Sequence, residues 1–161
     1  MSNVLARNRK LTKYDFYNTA IDIRTELTKF CMNEKNIPKR WRFIHAIPII
    51  ESANELVELV VASHVIYPST VATAEKRKEL QLDAIATVEV LYQKLQFALE
   101  ILEFDLNKLN DVVDKMELEI KLLKGCRDAT TKTIKQLKLK EEENKENSKK
   151  LKEDKENSKE E

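Results

Sequence analysis

One glycine, Gly125, in a chain of 161 residues leaves almost no backbone positions free to adopt the left-handed conformations of tight turns. A sheet of several strands needs such turns at every reversal. Three prolines add little. The chain must therefore be built from few, long elements. Leu, Lys, Glu, Ala and Ile dominate a composition that is 42% hydrophobic and 35% charged, as in helical bundles. An all-α fold follows.

Apolar spacing divides that fold into four helices. The first is expected from Thr12, where Thr12-Lys13-Tyr14-Asp15 resembles a capping box, to about Asn36, with Phe16, Ala20, Ile23, Leu27 and Phe30 on one face. Pro38 suits the first turn of a second helix over 38–67, whose apolar side carries Val57, Val60, Val61 and His64 and which Pro48 should kink. A third is expected over 73–102 on Leu80, Ala84, Val88, Leu91, Leu95, Ala98 and Leu102. The fourth, over 106–124, uses Leu106, Leu109, Val113, Met116, Ile120 and Leu123, with Gly125 as its stop. Short connections predict an antiparallel up-down four-helix bundle over residues 12–127.

Two flanking segments differ from this core. Residues 1–11 form a basic arm. Residues 128–161 read as a charged, low-complexity tail, in which Lys138-Leu-Lys-Glu and Lys145-Glu-Asn-Ser-Lys recur as Lys150-Leu-Lys-Glu and Lys155-Glu-Asn-Ser-Lys. Such a sequence favours a solvated tail, disordered or a fraying single helix.

The formal net charge of +1 conceals segregation. Residues 1–42 hold ten Lys/Arg against four acids, whereas residues 43–75 hold four glutamates and no Lys or Arg. In an up-down bundle, Arg7, Arg9, Lys10 and Lys13 of the arm share one end with Lys76, Arg77 and Lys78 of the third helix and Lys121, Lys124 and Arg127 of the fourth. Cations near the start of a helix oppose its dipole, so a phosphate-backbone platform is one reading and an ordinary solvated face the other. Glu51, Glu55 and Glu58 form an acidic stripe.

Several chemistries are excluded or disfavoured. A single glycine rules out both phosphate-cradling patterns, GxxxxGK[ST] and GxGxxG, and no HExxH occurs. Cys31 and Cys126 lack metal-site spacing, so reduced thiols, no metal and no cofactor are expected. The most apolar stretch, Ile47 to Tyr67, is broken by charges and predicts no membrane span; a cytoplasmic setting is expected. Arg40 and His45 read as Arg-x4-His, which resembles the ribonuclease motif of the HEPN family. Positions five apart stand about 140° from each other on a regular helix.

Five stretches together carry a second resemblance. They are Pro38-Lys39-Arg40-Trp41-Arg42-Phe43, Val65-Ile66-Tyr67-Pro68, Arg77-x3-Gln81-x2-Ala84-Ile85, Leu91-x-Gln93-Lys94-Leu95-Gln96-Phe97-Ala98 and Ile120-x-Leu122-Leu123-x-Gly125-x-Arg127. In this order, over roughly residues 12–130, the chain resembles the Avd-like proteins, four-helix accessory variability determinants of diversity-generating retroelements. The resemblance implies a ring-shaped homopentamer without enzymatic activity. It would bind RNA or DNA and a reverse transcriptase, in support of error-prone cDNA synthesis. It adds Lys39, Arg40 and Arg42, with Arg77, to the expected binding residues. A purely structural protein-protein adaptor is the alternative, and a ribonuclease using Arg40 and His45 comes behind it.

Overall fold

The computed structural model describes residues 15–102 and 104–157, the last nine of these as backbone only. Arg7, Arg9, Lys10, Lys13, the Thr12 cap and the side chain of Leu106 lie outside the described residues. Four α-helices make up the described chain: α1 (Asp15–Met32), α2 (Ile47–Val65), α3 (Val71–Leu102) and α4 (Asn110–Asn157). No strand occurs among the described residues.

α1 buries Phe16, Ala20, Ile23, Leu27 and Phe30, the stripe that its sequence spacing marks. After Met32 the chain turns on Asn33, whose carbonyl accepts from the N–H groups of Asn36 and Ile37, both at 3.0 Å. The Asn36 amide nitrogen then donates back to the Phe30 carbonyl at 3.1 Å. An otherwise open helix end is closed in this way.

The entry to α2 departs from the sequence expectation. Residues Lys39–Trp41 form a 3-10 turn and Arg42–Ala46 one wider π turn, so regular α-helix begins only at Ile47. Proline has no N–H to continue a ladder and its ring crowds the preceding turn. Pro48 therefore sits in the first turn of α2 and does not kink a helix already under way. Ahead of it the Ile47 N–H reaches the Arg42 carbonyl, and the extra residue in that turn places His45 and Ala46 inside and Phe43 and Ile44 outside.

α3 starts from a reciprocal cap. Thr73 N–H donates to Thr70 Oγ1 at 3.2 Å, while Thr70 N–H donates to Thr73 Oγ1 at 3.0 Å. Its buried face is Ala74, Gln81, Ala84, Thr87, Val88, Leu91, Leu95 and Ala98, with Leu80 only half buried.

α4 corrects two expectations. Gly125 does not stop it: the helix runs on to Asn157, and Gly125 keeps an ordinary helical conformation with open space where a Cβ would stand. The tail does not begin at residue 128 either, because Thr130 and Ile134 are buried and Lys138 pairs with Glu75 of α3 at 3.0 Å. Small and apolar residues at the spacing 123, 130, 134 prolong the packed face beyond the glycine. That face is also rotated from the expected one, through Leu109, Val112, Met116, Glu119 and Leu123. Val113 and Ile120 lie at its margin.

The core joins the four helices. Ile23 and Leu27 of α1, Ile49, Leu56 and Val60 of α2, Val88 and Leu91 of α3, and Met116 and Leu123 of α4 are all at most 1% exposed. Each fully buried side chain of this size contributes about 1.5 to 3 kcal/mol relative to exposure. Cross-helix polar contacts fix the register. Lys108 Nζ donates to Asn36 Oδ1 at 3.1 Å, Tyr92 Oη to the Val113 carbonyl at 3.2 Å, and Lys115 pairs with Glu26.

Candidate nucleic-acid interface

The expected binding residues fall into two separate groups. Lys39, Arg40 and Arg42 lie before α2, whereas Lys76, Arg77 and Lys78 lie near the start of α3, where Arg77 Nη1 donates to the Ile66 carbonyl just past the end of α2 at 3.4 Å. At ~1.5 Å per residue the 19 residues of α2 separate them by roughly 28 Å. They do not make one surface.

Most of the first group is already engaged within the fold. Arg42 donates from Nη2 to the carbonyl of Met32, the last residue of α1, at 2.7 Å, where a cation also complements the helix dipole. Lys39 pairs with Glu34 at 3.1 Å. Arg40 is exposed and lies 5.8 Å from the Trp41 ring centroid, within the range of a cation–π contact. His45, the partner of Arg40 in the nuclease reading, is 2% exposed, with ring centroids 5.8 Å from Trp41 and 4.9 Å from Phe97. Its Nε2 has no hydrogen-bond partner, and burial lowers its pKa. This is the environment of a packed imidazole.

In the second group, Arg77 also serves the fold. Its guanidinium holds the segment after α2, and its Nε is buried without a hydrogen bond. Lys76 pairs with Glu79 at 3.6 Å, and Arg127 with Asp128 at 2.8 Å. Lys78, half buried, lines a groove of about 480 Å³ between α3 and α4, together with Leu82, Ile134, Lys135 and Lys138.

The continuation of α4 past Gly125 adds Lys132, Lys135, Lys138 and Lys140 to the cations expected from the sequence. Between residues 121 and 140 there are seven Lys/Arg and one acid, Asp128. At about 100° per residue, Lys121, Lys124, Lys132 and Lys135 fall within about 80° of arc and extend about 21 Å along the axis. All four are exposed and hold no ion pair among the described residues. Arg127 and Lys138 border this flank on the side of α3. The signal was present in the sequence as a run poor in acids, but a helix ending at Gly125 would have cut it in two.

Sequence spacing also missed a buried polar position. Glu119 is 0% exposed, neither carboxylate oxygen has a hydrogen-bond partner, and burial pushes its carboxyl up to about 8. Cys126, two turns further along α4, is raised chiefly by burial, with Arg77 acting against that rise and Glu119 adding to it. His64 is half buried, its ring centroid 6.0 Å from Phe16. No group of three or more His, Cys, Asp or Glu is placed to hold a metal ion among the described residues. No described helix is long and apolar enough to cross a membrane.

Comparison of the chain with models of known protein families, with curated proteins and with solved structures gives no match.

Proposed function

We propose that this chain is a non-catalytic accessory protein that binds the phosphate backbone of RNA or DNA along the lysine flank of α4. The single observation behind this is the alignment of Lys121, Lys124, Lys132 and Lys135 on one exposed side of a continuous helix. Lys78 borders that side from α3 through the groove it shares with Lys135 and Lys138. Lysines so arranged contact phosphates without reading bases, which gives affinity and position but little sequence preference.

In the Avd-like reading the second partner is a reverse transcriptase, and the protein works in the cytoplasm as a ring-shaped homopentamer supporting error-prone cDNA synthesis. The five segments that carry the resemblance supply that part of the proposal. Contacts of Lys94 with Ser52 and of Arg77 with Ile66 support an antiparallel pairing of α2 and α3. Contacts of Lys108 with Asn36 and of Tyr92 with Val113 support the same for α4. A purely structural adaptor is the second reading, favoured by the exposure of Phe43 and Phe97.

The test is binding of a fluorescent structured RNA over a series of salt concentrations, with a variant carrying Lys121, Lys124, Lys132 and Lys135 changed to Glu. Affinity should fall steeply with salt and drop at least tenfold in the variant, with a shallower salt slope. Equal binding by the two proteins, or no binding by the unaltered one, would sink the proposal in favour of the adaptor.

A further inference from the structure

We infer that the outer flank shared by α2 and α3 is a docking groove for a basic amphipathic helix of a partner protein. Among the described residues, Phe43, Ile44, Ile47, Val90, Phe97 and Ile101 are all large, apolar and between 42% and 81% exposed. Scattered apolar residues on a surface are ordinary, but contiguous ones mark interaction sites.

Two contacts bring the start of α2 beside this part of α3. Phe97 of α3 lies against His45, the residue after Ile44, at 4.9 Å between ring centroids, and Lys94 bonds the Pro48 carbonyl, next to Ile47, at 3.1 Å. Val90, Phe97 and Ile101 follow one another at seven and four residues, so they share one side of α3. Glu89, Val90, Gln93, Lys94 and Phe97 line a groove of about 440 Å³ there. The groove is lined by α3 alone, and the π turn before α2, which leaves Phe43 and Ile44 exposed, lies beside it through the contact of His45 with Phe97.

Charge selects the occupant. α2 contains three glutamates and no Lys or Arg, and its exposed Glu51 and Glu55 stand on the side that also carries Ile44 and Ile47. Exposed Glu89 and Glu100 flank the groove on α3. Lys94, the cation among the groove residues, is held by the Pro48 carbonyl and the Ser52 hydroxyl. An apolar floor on α3 anchored by Phe97, with exposed Phe43 on the adjoining turn and acidic rims, matches a helix with apolar residues at positions i, i+3, i+4 and i+7 and Lys or Arg beside them. This flank of α3 faces α2, whereas Tyr92 faces α4. The groove is therefore distinct from the lysine flank, and the inference does not depend on nucleic-acid binding.

The experiment uses a fluorescent 18-residue peptide with Leu on one helical face and Lys on the other. A scrambled peptide of the same composition and a Leu/Glu counterpart serve for comparison. Fluorescence anisotropy near physiological salt should show the Leu/Lys helix binding at least tenfold more tightly than either. Joint Phe43→Ser and Phe97→Ser substitution should weaken it at least tenfold, as should joint Glu51→Lys and Glu55→Lys substitution. All four positions are exposed, and circular dichroism checks that the variants are folded. Lys121→Glu with Lys135→Glu should leave peptide binding unchanged.

Equal binding of the scrambled peptide, or no loss in the Phe43→Ser, Phe97→Ser variant, would overturn the inference. So would light scattering that shows a multimer for the unaltered protein and a monomer for that variant, because a second copy would then cover the groove.

Discussion

Lys94 of α3 donates from Nζ to the Ser52 hydroxyl oxygen of α2 at 2.5 Å, and to the Pro48 carbonyl at 3.1 Å. One ammonium thereby ties the start of α2 to the last third of α3. The charge also meets the partial negative charge of a backbone carbonyl beside a turn that proline leaves short of donors.

Replacing Lys94 by Met keeps the aliphatic stem and removes both bonds. We expect a loss of about 1 to 2 kcal/mol in urea unfolding, with Ser52→Ala costing about 1 kcal/mol or less. Because the two residues share one interaction, the double variant should cost less than the sum of the singles. Strict additivity would show that they act separately.

Glu119 makes stability depend on pH in the direction opposite to an ion-paired acid. Its carboxyl loses a proton near 4.5 in the unfolded chain and near 8 in the fold. Between those values the native state binds more protons, so stability should decline as pH rises from about 4.5 to about 8 and then level off. Glu119→Gln should flatten this dependence. Glu119→Leu should remove it and raise stability by a few kcal/mol near pH 8, on the order expected when an unpaired buried carboxylate is relieved. Thermal unfolding across this range is the measurement, and an equal slope in the Gln variant would assign the effect to other groups.

Gly125 lies within a helix, is exposed and has open space around its missing side chain. Gly125→Ala should therefore stabilise the protein by about 0.5 to 1 kcal/mol, through the entropy that glycine loses on folding. A destabilised Ala variant would mean that the backbone there leaves the helical region.

The two thiols should react in a fixed order. Cys31 is fully buried and pushed up to about 12, while Cys126 is only half buried, and there the nearby Arg77 charge works against the rise that burial causes. Thiolate is the reactive species. Native protein treated with iodoacetamide should carry the first adduct on Cys126, and Cys31 should react only with denaturant. Peptide mass spectrometry that finds Cys31 labelled first would show that α1 opens locally.

The helical class and most of the core were legible in the sequence because apolar periodicity is a local signal. Phe16, Ile23, Leu27, Val88, Leu91, Met116 and Leu123 were all marked by spacing alone. The boundaries were not. A glycine after a heptad looks like a cap, but only packing against α3, through Thr130 and Ile134, determines whether the helix continues. The π turn at Arg42–Ala46 likewise arises from the conflict between Pro48 and a regular ladder. Glu119 escaped notice because a 3-4 pattern offers two neighbouring choices, and Ile120 is the more apolar of them. The cations of the expected site could be named from sequence. Which of them were already engaged within the fold, as Arg42 and Arg77 are, depends on contacts between helices.

The continuity of α4 also determines what its duplicated segment can do. The two copies start at Lys138 and Lys150, twelve residues apart. On a helix at about 100° and ~1.5 Å per residue, that offset rotates corresponding positions by about 120° and advances them about 18 Å. Backbone positions 150–157 of the helix are therefore turned by about 120° from positions 138–145, like successive steps of a spiral stair. Along a continuous helix a twelve-residue spacing thus traces a spiral around the axis and not a straight line along it.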